Sequence, residues 1–143
     1  MKYGSISAGS KEAVDTAKHI FTNGGNAFDA GVAAAFTSMT SEFSLTGAGG
    51  GGIMIGMDSK SKPYIYDFFV DCPIINNKNS DFKKISVDFG STSQNFHIGM
   101  ASSAIPGNIS GLLDIHQKKG LLPLEAILEP AIDIAKNGIT LSK

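Results

Sequence analysis

The chain has 143 residues, enough for one domain with a real core. Its 12 Lys and Arg against 13 Asp and Glu give a formal net charge of −1, which leaves no basic footprint for a nucleic acid partner. The single cysteine, Cys72, cannot form an internal disulfide, and the opening residues lack the charged start and apolar run of a signal peptide, so a cytoplasmic protein is expected.

Seventeen glycines cluster at apparent element ends and in one loop, the pattern of a tightly turned globular fold. Ser10 can cap a first helix, because Ala13, Val14, Ala17, Ile20 and Phe21 fall at helical spacing and Gly24-Gly25 supplies a stop. Asn26 caps a second, with Asp29 three residues on, where a carboxylate can reach back to the free amides. Residues 27–39 carry it, and Ala30, Gly31, Ala33, Ala34 and Ala35 keep it narrow enough for another backbone layer to come close. This is the longest apolar stretch, and it is too short and too interrupted by Asp29 to span a bilayer.

Residues 46–55 read TGAGGGGIMI. Gly47, Gly49, Gly50, Gly51 and Gly52 lead straight into an apolar run, so they are expected where backbone approaches something closely or adopts positive φ. Residues 53–57 and 64–69 then read as a hairpin around a polar turn ending in Pro63. Residues 71–88 read as an exposed, patternless excursion, and 96–104 as a further strand leading into Pro106. Pro106 suits the first turn of a third helix ending at Gly120. A fourth begins at Pro123, is expected to kink at Pro130, and closes at Asn137-Gly138.

Gly47, Gly49 and Gly52 match G-x-G-x-x-G, but a dinucleotide fingerprint needs a strand before it and a helix after, and here the order is reversed. Nothing beside Cys72 would lower its pKa, since Asp71 acts the other way. His19, His97 and His116 are scattered, without metal-ligand spacing, and no G-x-S-x-G elbow occurs. Asn108 and Ser110 satisfy a glycosylation pattern, to which a helix start lends no weight. No metal or cofactor is expected.

Several motifs in order are more specific. NGGNAFDAGVAAA (23–35), Glu42, GAGGGGIM (47–54), YDF (66–68), AIPGNISGLLDIHQKKGLLP (104–123) and LEPAIDIAKNGI (128–139) together resemble the N-terminal part of the large subunit of the gamma-glutamyltranspeptidase family. The resemblance implies an α+β fold, part of a four-layer αββα N-terminal-nucleophile hydrolase sandwich with helices packed on a mainly antiparallel sheet. Residues 1–143 would then be a single partial domain.

It also implies a precursor that cuts itself in two, whose new N-terminal threonine is the nucleophile. Such an enzyme takes the γ-glutamyl group from glutathione or a similar amide and passes it to water or to an amino acid. No segment here matches that threonine motif, so no catalytic residue is expected in this chain. Its expected partners are the remainder of the large subunit, the threonine-bearing small subunit and a small-molecule amide or γ-glutamyl substrate, with a homo-oligomer also open. The competing reading, from a different class, is a stand-alone non-catalytic binding module that retains part of the fold. Nucleotide binding by the glycine loop is a third.

One departure bears on substrate. Family members with γ-glutamyl activity typically read D-F-R-E, the arginine gripping the substrate α-carboxylate. Asp67, Phe68, Phe69 and Val70 stand here instead, so Asp67, Phe69 and Val70 are the candidate substrate-binding segment, with Phe69 in the arginine position. Strand alternation turns Phe68 and Phe69 to opposite sides, one to the core and one to a cleft, without saying which.

Overall fold

A computed structural model describes residues 4–73 and 80–140. The elements run α1 (Lys11–Thr22), α2 (Ala27–Ser41), β1 (Gly52–Met57), β2 (Pro63–Phe68), β3 (Lys83–Asp88), β4 (Ser93–Ile98), a short 3-10 turn (Met100–Ser102), α3 (Asn108–Lys119) and α4 (Leu124–Asn137). The fold is α+β. Its strands form two separate antiparallel hairpins, β1 with β2 and β3 with β4.

The helix starts follow from local chemistry. The Ser10 hydroxyl accepts from Ala13 N and exchanges a 2.9 Å hydrogen bond with the Ser41 hydroxyl, so one side chain caps α1 and ties it to the end of α2. Ser10→Ala is expected to cost about 1 kcal/mol. A urea melt with a lower midpoint and unchanged slope would show it; an unchanged midpoint would assign the cap no weight.

Asn26 and Asp29 form a full capping box: Asn26 Oδ1 accepts from the Phe28 and Asp29 amides, and Asp29 Oδ2 accepts from Asn26 N. Asp29 does more than cap. It is fully buried, and both its oxygens accept from Leu121 N at 3.1 and 3.0 Å, while Asn26 Nδ2 donates to Lys119 O. The start of α2 is therefore fastened to the link between α3 and α4. His116 Nε2 lies 3.8 Å from Asp29 Oδ1 and 2.9 Å from Leu122 O; since a carbonyl only accepts, Nε2 carries the proton. A Cβ at Gly120 would lie 2.6 Å from the His116 ring and 2.7 Å from Asp29 Oδ1, which is why a glycine ends α3 although its φ of −70° is ordinary.

α2 is the central helix, with α1, α3 and α4 against it. Ala17 and Ile20, Val32 and Ala33, Leu112 and Ile115, and Ile127 form the buried cluster. Met54, Tyr64, Tyr66 and Phe68 of the first hairpin pack onto it. Gly56 of β1 leaves room for the Phe28 ring of α2, and a Cβ added at Gly31 would stand 3.4 Å from the end of Met54.

In that hairpin Gly52 pairs with Phe68, Met54 with Tyr66 and Gly56 with Tyr64 on the inner face, while Ile55 and Ile65 pair on the outer. Asp58 organises its turn. Its carboxyl is held below the ordinary value first by the Lys62 amide, then by the Tyr64 hydroxyl and the Lys60 amide. The outer face is apolar and open: Ile53, Ile55 and Ile65 are 62%, 75% and 73% exposed.

Several expectations need correcting. Residues 71–88 are not patternless throughout, because Lys83–Asp88 form β3; residues 74–79 lie outside those described. The strand expected over 96–104 runs instead over Ser93–Ile98 and gives way to the 3-10 turn. Pro106 is not in the first turn of α3, for Gly107 is the N-cap and Pro106 precedes it. Pro123 is likewise the N-cap of α4; that helix does run past Pro130 to Asn137 with Gly138 as its C-cap, as expected.

Candidate functional site

The glycine loop, the end of β2 and the start of α3 meet at one place. Gly50 O accepts from the Gly107 and Asn108 amides, both at 3.0 Å, and Asn108 Nδ2 donates to Gly47 O at 2.7 Å. The loop is thus hung on the start of α3 by its own carbonyls, Gly50 O on two free backbone amides and Gly47 O on the Asn108 side chain.

The reason for glycine differs along the loop. A Cβ on Gly51 would press on Val70 N and lie 2.7 Å from Phe69 C and 2.8 Å from Phe68 O, all backbone atoms. One on Gly50 would come within 3.2 Å of Asn108 Nδ2, and one on Gly52 within 3.1 Å of the Phe68 ring. A Cβ on Gly47 or Gly49 would meet nothing within 4 Å, and none of the five has positive φ. Close approach is the requirement, and it falls on Gly51 above all. Gly107 and Gly111 complete the contact from α3, fitting against the Phe68 carbonyl and the Phe68 side chain.

This crowding settles the direction of the DFFV segment. Phe68 turns inward over Gly52 and Gly111, and Phe69, just past the end of β2, is 63% exposed. Among the described residues, then, it is Phe68 and not Phe69 that packs inward. Asp67 lies on the open side, its Oδ1 accepting from Phe69 N at 3.1 Å, and Val70 is half-buried. Beyond them Asp71 and Ile105 exchange two backbone hydrogen bonds, of 3.1 and 2.7 Å. Below the hairpin an open cleft of about 490 Å³ is lined by Ser38, Met39, Gly52, Met54, Phe68 and Asn108 among others.

Asn108 is the residue that sequence reasoning undervalued. It is 6% exposed and its amide holds the glycine loop, so it is a clamp and no sugar acceptor. Its place directly after Pro-Gly at a helix start was the available signal. The other candidates lie apart. Cys72 is exposed, His19 is bonded to Asn23, and His97 stacks on Phe82 with centroids 4.5 Å apart. Among the described residues no three His, Cys, Asp or Glu gather to hold a metal ion, and no helix is long and apolar enough to cross a membrane.

Comparison with known proteins follows the same residues. The family profile described as Gamma-glutamyltranspeptidase matches residues 13–143. The glutathione hydrolase proenzyme of Pseudomonas aeruginosa is 34% identical over 137 residues, covering 94% of this chain and 24% of that protein. The capsule biosynthesis protein CapD proenzyme of Bacillus anthracis is 31% identical over 133 residues, covering 93% and 21%. The structure of the gamma-glutamyltranspeptidase from Pseudomonas nitroreducens, complexed with L-DON, superposes with a TM-score of 0.77 at 30% identity, covering 94% of this chain and 39% of that one. The chain thus spans under a quarter of the length of these curated relatives.

Proposed function

The chain belongs to the gamma-glutamyltranspeptidase family, and from that premise we propose that it forms the N-terminal part of the large subunit of an amide hydrolase or acyltransferase that favours an apolar acyl group over γ-glutamyl. The nucleophile of this reaction is a threonine on another segment, with its own α-amino group as base. An acyl-enzyme divides the amide cleavage into two steps, each helped by oxyanion donors. This chain contributes the wall on which the acyl group rests. The expected partners are the remainder of the large subunit and the threonine-bearing subunit, and the open face of Ile53, Ile55 and Ile65 is a surface for a second sheet or a second copy.

The observation that carries the specificity is Phe69, exposed beside Asp67 where the family pattern has arginine. A phenyl ring cannot make a bidentate contact to an α-carboxylate, and losing such a charge-assisted pair costs about 2 to 5 kcal/mol in binding. Phe69 and Val70 offer apolar area in its place.

The test is kcat/KM for a γ-glutamyl anilide and a hexanoyl anilide, measured on this chain together with the remainder of the large subunit and the threonine-bearing polypeptide. The hexanoyl substrate is expected to be preferred. Phe69→Arg is expected to raise γ-glutamyl turnover by about 10- to 100-fold while lowering the hexanoyl rate. Robust glutathione hydrolysis that Phe69→Ala leaves unchanged would refute the proposal.

A further inference from the structure

The alternation of β2 does not stop where the strand ends. Phe69 and Asp71 are open and Val70 between them is half-buried, so the chain continues extended and Phe69 and Asp71 share the outer face with Asp67. Asp71 and Ile105 exchange both backbone hydrogen bonds as a directly opposed antiparallel pair, and side chains opposed in that way stand on one face. Ile105 is therefore placed on the face of Phe69, one diagonal step away, and is 53% exposed.

The backbone on either side of Phe69 adds no side chain beside its ring. Gly107 approaches from the α3 side, where a Cβ would run into Phe68 O and lie 3.1 Å from Phe69 O, and Gly51 approaches from the β1 side, where one would lie 2.7 Å from Phe69 C. On the Gly107 flank, Ile105 is the apolar side chain that the pairing with Asp71 brings to this face. The two carboxylates there are turned to their own strand, Asp67 Oδ1 accepting from Phe69 N and Asp71 Oδ1 from Cys72 N at 2.7 Å. Diagonal neighbours across an antiparallel pair stand roughly 7 to 8 Å apart, a gap that a straight chain of about six carbons spans.

We propose that Ile105 is a second specificity residue of the acyl wall, and that a straight aliphatic acyl group lies from Phe69 across the bare backbone of Gly107 to Ile105. The inference rests on the apolar acyl specificity proposed above and extends it. Phe69 decides that the acyl group is apolar, and Ile105 decides how long it is. An acetyl or butanoyl group resting on Phe69 falls short of Ile105, whereas a hexanoyl group reaches it, so its last two methylenes contribute only where the Ile105 side chain is present.

The test is kcat/KM for acetyl, butanoyl and hexanoyl anilides on this chain assembled with the remainder of the large subunit and the threonine-bearing polypeptide. Two methylenes moved from water onto apolar surface are worth about tenfold, so hexanoyl is expected to exceed butanoyl by about that factor. Ile105→Ala is expected to abolish the step, lowering hexanoyl about tenfold while acetyl and butanoyl change less than about twofold, and Ile105→Leu should keep it. The backbone bonds to Asp71 do not use the Ile105 side chain, and the urea midpoint of the Ile105→Ala assembly checks that it is folded. A hexanoyl-to-butanoyl ratio that Ile105→Ala leaves unchanged, or equal losses on all the anilides, would overturn the role of Ile105; if Phe69→Ala still lowers hexanoyl turnover, the acyl wall stands without it. A Phe69→Ala enzyme as active on hexanoyl as the parent would overturn both.

Discussion

Gly51→Ala is expected to destabilise the fold by about 3 kcal/mol, whereas Gly49→Ala in the same loop should stay within about 0.5 kcal/mol of the parent. A methyl at residue 51 meets Phe68 O, Phe69 C and Val70 N, backbone atoms that no rotamer change can move aside. The β1–β2 ladder would have to part at its Gly52 and Phe68 end. At residue 49 the methyl meets nothing, and the loss of glycine freedom in the unfolded chain works slightly in its favour. Gly107→Ala belongs with Gly51→Ala, because its Cβ would run into the Phe68 carbonyl and lie 3.1 Å from Phe69 O. Urea midpoints of the three variants check this. Equal losses at 49 and 51 would mean that the loop needs flexibility and that close approach is not its purpose.

Asp29→Ala is expected to cost about 3 to 5 kcal/mol. The substitution removes the acceptor for Asn26 N and for Leu121 N together, and leaves a hole where a fully buried side chain stood. Asp29→Asn should recover only part of that loss. An amide has one acceptor oxygen, and its NH2 would face an amide hydrogen at either the Asn26 or the Leu121 position. Denaturant unfolding of both variants gives the ranking. A loss below 1 kcal/mol in Asp29→Ala would show that the tie between α2 and the α3–α4 link carries no weight.

What could be read from the sequence was the chemistry that acts within a few residues. Ser10 and Asn26 cap helices through bonds from amides two and three positions on, and Asp29 through one from the amide three positions back, so their roles follow from spacing alone. Contacts across the chain were not readable in that way. That Asp29 also holds Leu121, 92 residues away, has no local signature. The five loop glycines look alike in sequence, and what separates Gly51 from Gly47 and Gly49 is a backbone segment near residue 69.

β3 escaped notice for a different reason. Lys83–Asp88 contains two apolar residues, Ile85 and Val87, and is exposed along nearly all its length, so burial imposes little alternation on its composition. At the DFFV segment alternation did foretell that Phe68 and Phe69 diverge. Which one faces the core was decided by Gly52, Gly107 and Gly111, which make a socket that only the Phe68 side can enter.

The paired hydrogen bonds between Asp71 and Ile105 draw together two points 34 positions apart, and β3 and β4, which lie between them, pack chiefly on each other. That arrangement is a neck with an appendage above it. The helical body below the neck packs little against β3 and β4, so changes confined to these two strands are expected to leave the shape of the region beneath unaltered.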